Sequence, residues 1–188
     1  MEKIGIPKRD LVVKRIIATQ SSQESAKQQF TSALDRFKSV LNFDGGPLEE
    51  KYNSLNSELA RCESRANDLQ SRIVAVADVS TALFSEWEEE LTQYSSEKLR
   101  RSSEGKLLGA RKRYDEMIRA MRASEAKLEP VLKPLRDNVL FLKHNLNARA
   151  VSSLSEDLRT VEANVDDLIR DLERSIDESN RFIREIGN

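Results

Sequence analysis

The chain has 188 residues, of which 34% are charged against a usual share of about 25%, and 31 Lys plus Arg nearly balance 32 Asp plus Glu. Six Gly and four Pro are too few for an all-β fold with many tight turns, and balanced charge argues against a wholly basic nucleic-acid binder or an acidic disordered chain. One Cys and one His exclude a disulfide framework and metal sites with several thiolate or imidazole ligands, and leave little for His-based catalysis.

Three interruptions predict four helical stretches, at about 8–43, 47–94, 96–145 and 150–186, within one domain spanning 1–188. The first stretch has the weakest pattern: Ala26, Phe30, Ala33, Phe37 and Val40 fit a helical stripe, while Thr19 to Gln29 is mostly polar. It ends at Phe43-Asp44-Gly45-Gly46-Pro47, where paired glycines release the chain and Pro47 suits the first position of the next helix. The second stretch has the strongest seam. Alternating steps of three and four give Tyr52, Leu55, Leu59, Cys62, Ala66, Leu69, Ile73, Val76, Ser80, Leu83 and Trp87, with only Ser80 clearly polar. A mean period near 3.5 is that of a coiled coil.

At Tyr94-Ser95-Ser96-Glu97 a serine can cap a new helix, and Glu97 favours its positive end. The third stretch repeats the seam from Leu107 through Tyr114, Met121, Leu128 and Leu135 to Leu142. Pro130 and Pro134 lie inside it, and a kink is expected there. Val139-Leu140-Phe141-Leu142 is apolar all round, which predicts neighbours on several faces and the thickest part of the bundle. Asn145-Leu146-Asn147 ends this helix or starts the next, and Ser153 with Glu156 has capping-box spacing. The fourth stretch carries its seam from Leu154 through Val161, Leu168 and Ser175 to Ile186. At about 1.5 Å per residue, the second and third helices each reach roughly 70 Å. The expectation is an all-α, elongated antiparallel coiled-coil bundle of four long helices. It would have a thin seam rather than a central core, and a second copy of the chain would complete that seam as a homodimer.

Charge alternates along the chain. Residues 1–47 carry 8 basic and 5 acidic groups, 48–97 carry 4 and 11, 98–149 carry 14 and 6, and 150–188 carry 5 and 10. Antiparallel neighbours of opposite sign favour up-down packing, with Glu86 and Glu88 to Glu90 level with Arg100 and Arg101. Arg100, Arg111, Arg122 and Lys133 recur every 11 residues as a slowly drifting stripe, flanked by Arg101, Lys112 and Arg119 and roughly opposite the seam. The plain reading is a solvated face that offsets the acidic helices. The functional reading is a surface for phosphate groups of lipid or nucleic acid. Nucleic acid ranks lower, since no glycines or aromatics interleave with the cations as a stacking surface needs.

No catalytic constellation emerges, and no cofactor or metal is implied. His144 has no Cys or second His near it in sequence and suits a helix end. Cys62 falls on the seam as a buried, inert thiol, with an interchain disulfide as the alternative. Asp44-Gly45-Gly46-Pro47 lacks the glycine spacing and Lys of a phosphate loop. Glu86-Trp87-Glu88-Glu89-Glu90 points its carboxylates in different directions, and Trp87 reads as a seam residue. No apolar run approaches the roughly 18–20 residues of a membrane span, and no signal peptide is visible.

Several strings are distinctive: Glu2-Lys3-Ile4-Gly5-Ile6 with Lys8-Arg9-Asp10, Phe37-Lys38-Ser39-Val40 to Asn42-Phe43-Asp44-Gly45-Gly46, Leu99-Arg100-Arg101-Ser102-Ser103, and Phe141-Leu142-Lys143-His144-Asn145-Leu146-Asn147-Ala148-Arg149-Ala150. Through them the chain resembles an uncharacterised gammaproteobacterial family known only as a domain of unknown function. No functional residues come with the resemblance. Many members it resembles begin with a lipoprotein signal and a lipid-bearing Cys. This chain shows neither, so the resemblance implies a trimmed start at Met1 and a periplasmic, membrane-tethered full-length form.

The functional expectation is a non-enzymatic scaffold or spacer at a membrane surface. Its sharpest form is a BAR-like module that binds anionic headgroups through Arg100, Arg101, Arg111, Lys112, Arg119 and Arg122. The rival is a protein–protein adaptor whose coiled-coil surfaces engage another helical protein without lipid.

Overall fold

Each predicted stretch is helical in the computed structural model, which describes residues 7–42 and 45–187. Met1, the Glu2 to Ile6 string, Phe43 and Asp44 therefore lie outside the described residues. The elements are α1 (Lys8–Leu41), α2 (Leu48–Leu91), α3 (Glu97–Ala126), α4 (Leu128–His144), α5 (Ala148–Leu154) and α6 (Leu158–Gly187), with no strand among the described residues. Six helices thus stand where four were expected, because the third stretch parts at Lys127 and the fourth at Ser155 to Asp157.

The break at Lys127 follows from Pro130. A proline has no N–H, so the carbonyl of Ala126, four residues earlier, loses its helical donor. There α3 ends, and the Lys127 N–H turns back to the Ser124 carbonyl at 3.1 Å. Pro130 then falls in the first turn of α4, where no N–H is needed. Pro134 stays inside α4 and orphans the Pro130 carbonyl in turn. Asn164 of α6 donates its Nδ2 to that carbonyl at 3.0 Å, which ties α6 to α4 at the point of damage.

The other joints are set locally. Gly45 and Gly46 have φ of 106° and 117°, a region closed to most side chains, and Pro47 precedes α2. Ser96 caps α3 by accepting the Leu99 N–H, and Asn147 caps α5 by accepting the Ala150 N–H at 3.0 Å. Ser153 forms no capping box: its hydroxyl donates back to the Arg149 carbonyl at 3.2 Å, and α6 starts only at Leu158.

Long-range pairings run in opposite numerical order, which fixes the topology. Ser22 donates to Asp68 and Lys51 to the Ser39 carbonyl, so α1 and α2 are antiparallel. Lys27 meets Glu173 and Lys38 meets Glu162, so α6 runs antiparallel to α1. Arg111 reaches Glu88 and Arg136 reaches Glu63, which aligns α3 and α4 along α2, while Tyr114 packs edge-on to Phe182 of α6. The result is an up-down-up-down bundle of two hairpins, α1–α2 and α3/α4–α5/α6.

The predicted seams are its core. Phe30, Phe37, Leu55, Leu69, Ile73, Met117, Met121, Leu128, Leu135, Leu142 and Phe182 are all buried, within one connected apolar cluster. The expected thin seam without a central core is therefore corrected: four stripes converge on one axis inside a single chain. With 44 residues, α2 still spans about 66 Å, so the bundle is long.

Two stretches depart from expectation. The polar run in α1 is partly buried: Thr19, Ser22 and Gln23 lie in the interior, where Ser175 and Ser179 of α6 are buried as well. Gln23 Nε2 donates to Ser175 Oγ at 2.6 Å, while Gln23 Oε1 has no partner. Val139-Leu140-Phe141-Leu142 is not covered all round. Val139 and Leu142 are buried, but Leu140 and Phe141 are exposed, because the packing of α4 on α2 and α6 leaves part of its circumference open.

Candidate functional site

The six candidate cations lie on α3, with Lys133 of the stripe on α4, and four of the six meet a carboxylate. At the N-terminus, Arg100 forms a two-pronged pair with Glu97 (2.8 and 2.9 Å) and reaches Glu104 at 3.3 Å. Arg101 Nε donates to the same Glu97 carboxylate at 2.8 Å. Those bonds, from Arg100 first and then Arg101, hold the Glu97 carboxyl at about 2, so it stays ionised and paired at any ordinary pH. The expected bridge from Arg100 and Arg101 to the acidic end of α2 is not made, because Glu97 sits one turn away on the same helix. Glu86 instead meets Lys8 at 3.1 Å, and Glu88 meets Arg111 at 2.8 Å.

Arg111 leaves the outward stripe. Its guanidinium lies 5.4 Å from the centre of the Phe84 ring, and its Nε is buried without a hydrogen-bond partner. It works as a cross-link between α3 and α2. Arg122 is paired with Glu125 at 2.8 Å. Lys112 and Arg119 are exposed and ion-pair with no carboxylate among the described residues. Arg119 also lines a groove of about 470 Å³ between α3 and α6, where Arg113 and Arg181 are paired with Glu116 and Glu178. Of the six sequence candidates, then, Lys112 and Arg119 present free charge, Arg100, Arg101 and Arg122 present shared charge, and Arg111 is committed to packing. Sequence reasoning missed Leu108, 64% exposed on α3, whose only signal is that it lies one residue off the seam.

The remaining chemistry-bearing residues are dispersed. Cys62 is buried, with its Sγ 3.7 Å from the Gln29 carbonyl, and burial pushes the thiol up to about 12. His144 is the exposed last residue of α4. Trp87 packs partly on the core, donates to Ser103 Oγ at 2.8 Å and carries Arg9 over its ring at 5.4 Å. Among the described residues no three His, Cys, Asp or Glu side chains are grouped so as to hold a metal ion. No described helix is long and apolar enough to cross a membrane.

These features define an all-helical bundle protein with a cationic face on one helix. The chain belongs to the family described as "Protein of unknown function (DUF2959)", whose match spans residues 1–186. No curated protein matches it.

Proposed function

We propose that the protein is a non-enzymatic helical spacer that works at a membrane surface, where anionic headgroups meet the outer face of α3. The observation that carries this reading is the pair Lys112 and Arg119, exposed and without carboxylate partners among the described residues, on a segment with 14 basic and 6 acidic groups. Half-buried Arg100 and exposed Arg101 and Arg122 add charge that their glutamates partly offset. Cations near an anionic surface contribute about 1 kcal/mol each. A periplasmic, membrane-tethered setting belongs to the same proposal and is supported by the sequence resemblance. Because the seams close within one chain, the homodimer of the BAR-like form would have to use other surfaces.

Vesicle co-sedimentation with charge reversal tests this. Lys112→Glu with Arg119→Glu should weaken binding to anionic vesicles by roughly 30-fold or more, since two favourable terms become unfavourable. Unchanged binding rejects α3 as the contact. An adaptor role is the second reading, favoured by exposed Leu108 amid that face. A stoichiometric protein partner lost on Leu108→Ser, with no lipid binding, would establish it instead.

A further inference from the structure

A different surface stands out at the corner where α4 passes into α5. Leu140, Phe141 and Leu146 are 59%, 41% and 43% exposed there. Scattered apolar residues on a surface are ordinary, but three close together on one corner are not. The corner is firmly built. Leu142 and Ala150 are buried beneath it, Asn145 Nδ2 donates to the Phe141 carbonyl at 2.9 Å, and Asn147 caps α5.

Along the chain, the charge of this segment has one sign. From Asn138 to Ser155 the sequence holds Lys143, His144 and Arg149 and no Asp or Glu, in a chain with 32 acidic residues. Lys143 and Arg149 are exposed and ion-pair with no carboxylate among the described residues. The apolar side chains project from a helix end and a turn, whereas the grooves of the bundle are lined by other residues. A projecting apolar cluster with a cationic rim suits a deformable partner that offers apolar depth beneath a layer of anions. A bilayer interface has that chemistry, with apolar groups sinking about 5–10 Å to the headgroup–acyl boundary.

We propose that this corner is an interfacial anchor: Leu140, Phe141 and Leu146 insert into an anionic bilayer while Lys143 and Arg149 contact its phosphates. The anchor lies on another element from the α3 face and acts by burial rather than by charge alone, so the two stand or fall separately.

The test is a fluorescent reporter at the corner. Leu146→Cys is labelled with an environment-sensitive dye, while the buried Cys62 thiol stays unreactive. Vesicles of phosphatidylcholine with phosphatidylglycerol should blue-shift the dye, and brominated acyl chains should quench it, while a dye at Ser57→Cys on α2 stays unchanged. Leu140→Ser, Phe141→Ser and Leu146→Ser together should lower vesicle affinity about tenfold with helicity unchanged, because these side chains are exposed. A silent dye on pelleted protein, or full affinity in the triple variant, overturns the anchor. Quenching that survives Lys112→Glu with Arg119→Glu supports it and removes only the α3 contact. Capture of a stoichiometric protein through the corner, with no dye shift on vesicles, also overturns it.

Discussion

The two hairpins of the bundle solve the same packing problem differently. In the first, α1 and α2 are unbroken over 34 and 44 residues and meet through a close turn at Gly45 and Gly46. In the second, both arms are interrupted, at Lys127 and at Ser155 to Asp157, and the corner between them is exposed. The first is a continuous strut. The second carries the candidate surfaces: the free cations of α3 and the acid-free corner after α4. Packing is the task of both, and the difference lies in grouping: Ile17 and Val74 of the first hairpin are exposed singly along their helices, whereas Leu140, Phe141 and Leu146 of the second fall within one short stretch.

That contrast can be broken most severely through the core both hairpins share. Phe30 of α1 is fully buried, and Phe30→Ala should cost about 3–5 kcal/mol in urea unfolding, removing a large part of the stability of a domain this size. The joint between hairpins comes next. Ser175→Ala strands the Gln23 amide, whose Oε1 already lacks a partner, and should cost about 1–3 kcal/mol. Adding Gln23→Met removes the stranded group and should recover most of that loss. If the double variant is no better than the single, the buried polar layer is not held by this bond.

A smaller effect separates the broken arm from the strut. Asn164→Ala leaves the Pro130 carbonyl without its side-chain donor and should cost about 1 kcal/mol, with faster hydrogen exchange confined to α4 and α6. Exchange that quickens equally in α1 and α2 would contradict the account of the repair.

Acid should reach the strut through Glu58 and Asp68. Burial pushes the Glu58 carboxyl up, but bonds from Arg61, Gln29 and Ser32 outweigh it and hold the group below its ordinary 4.5. Arg72 and then Ser22 hold Asp68 below its ordinary 3.8. Groups with depressed folded-state values stabilise fully above their unfolded values and lose that contribution as pH falls through the folded ones. Thermal stability should therefore decline below about pH 4.5, and Glu58→Gln should make that acid limb shallower. A limb of unchanged steepness would assign the acid response to other carboxylates.

Much of this fold is legible in the sequence. The 3.5-residue seam names Leu55, Leu69, Ile73 and Val76 as core, and all four are buried, because periodic apolar spacing reports which face of a helix leaves water. Whether four seams close in one chain or across two is not legible, since both arrangements use the same pattern. The break at Lys127 hides because a proline acts on the carbonyl four residues before it. In sequence Arg111 reads as a member of an outward stripe, and only the position of α2 turns it onto Phe84 and Glu88. Phe141 reads as buried because its neighbours in sequence are apolar, whereas exposure is set by how many helices surround α4.

Contact with an anionic membrane surface is decided by co-sedimentation of the unmodified protein with neutral and anionic vesicles, at low and high salt. Selective pelleting with anionic vesicles is expected, strongly reduced by salt as the α3 charges are screened, with a residual salt-resistant fraction from the apolar corner. Protein that stays in the supernatant under every condition would contradict it.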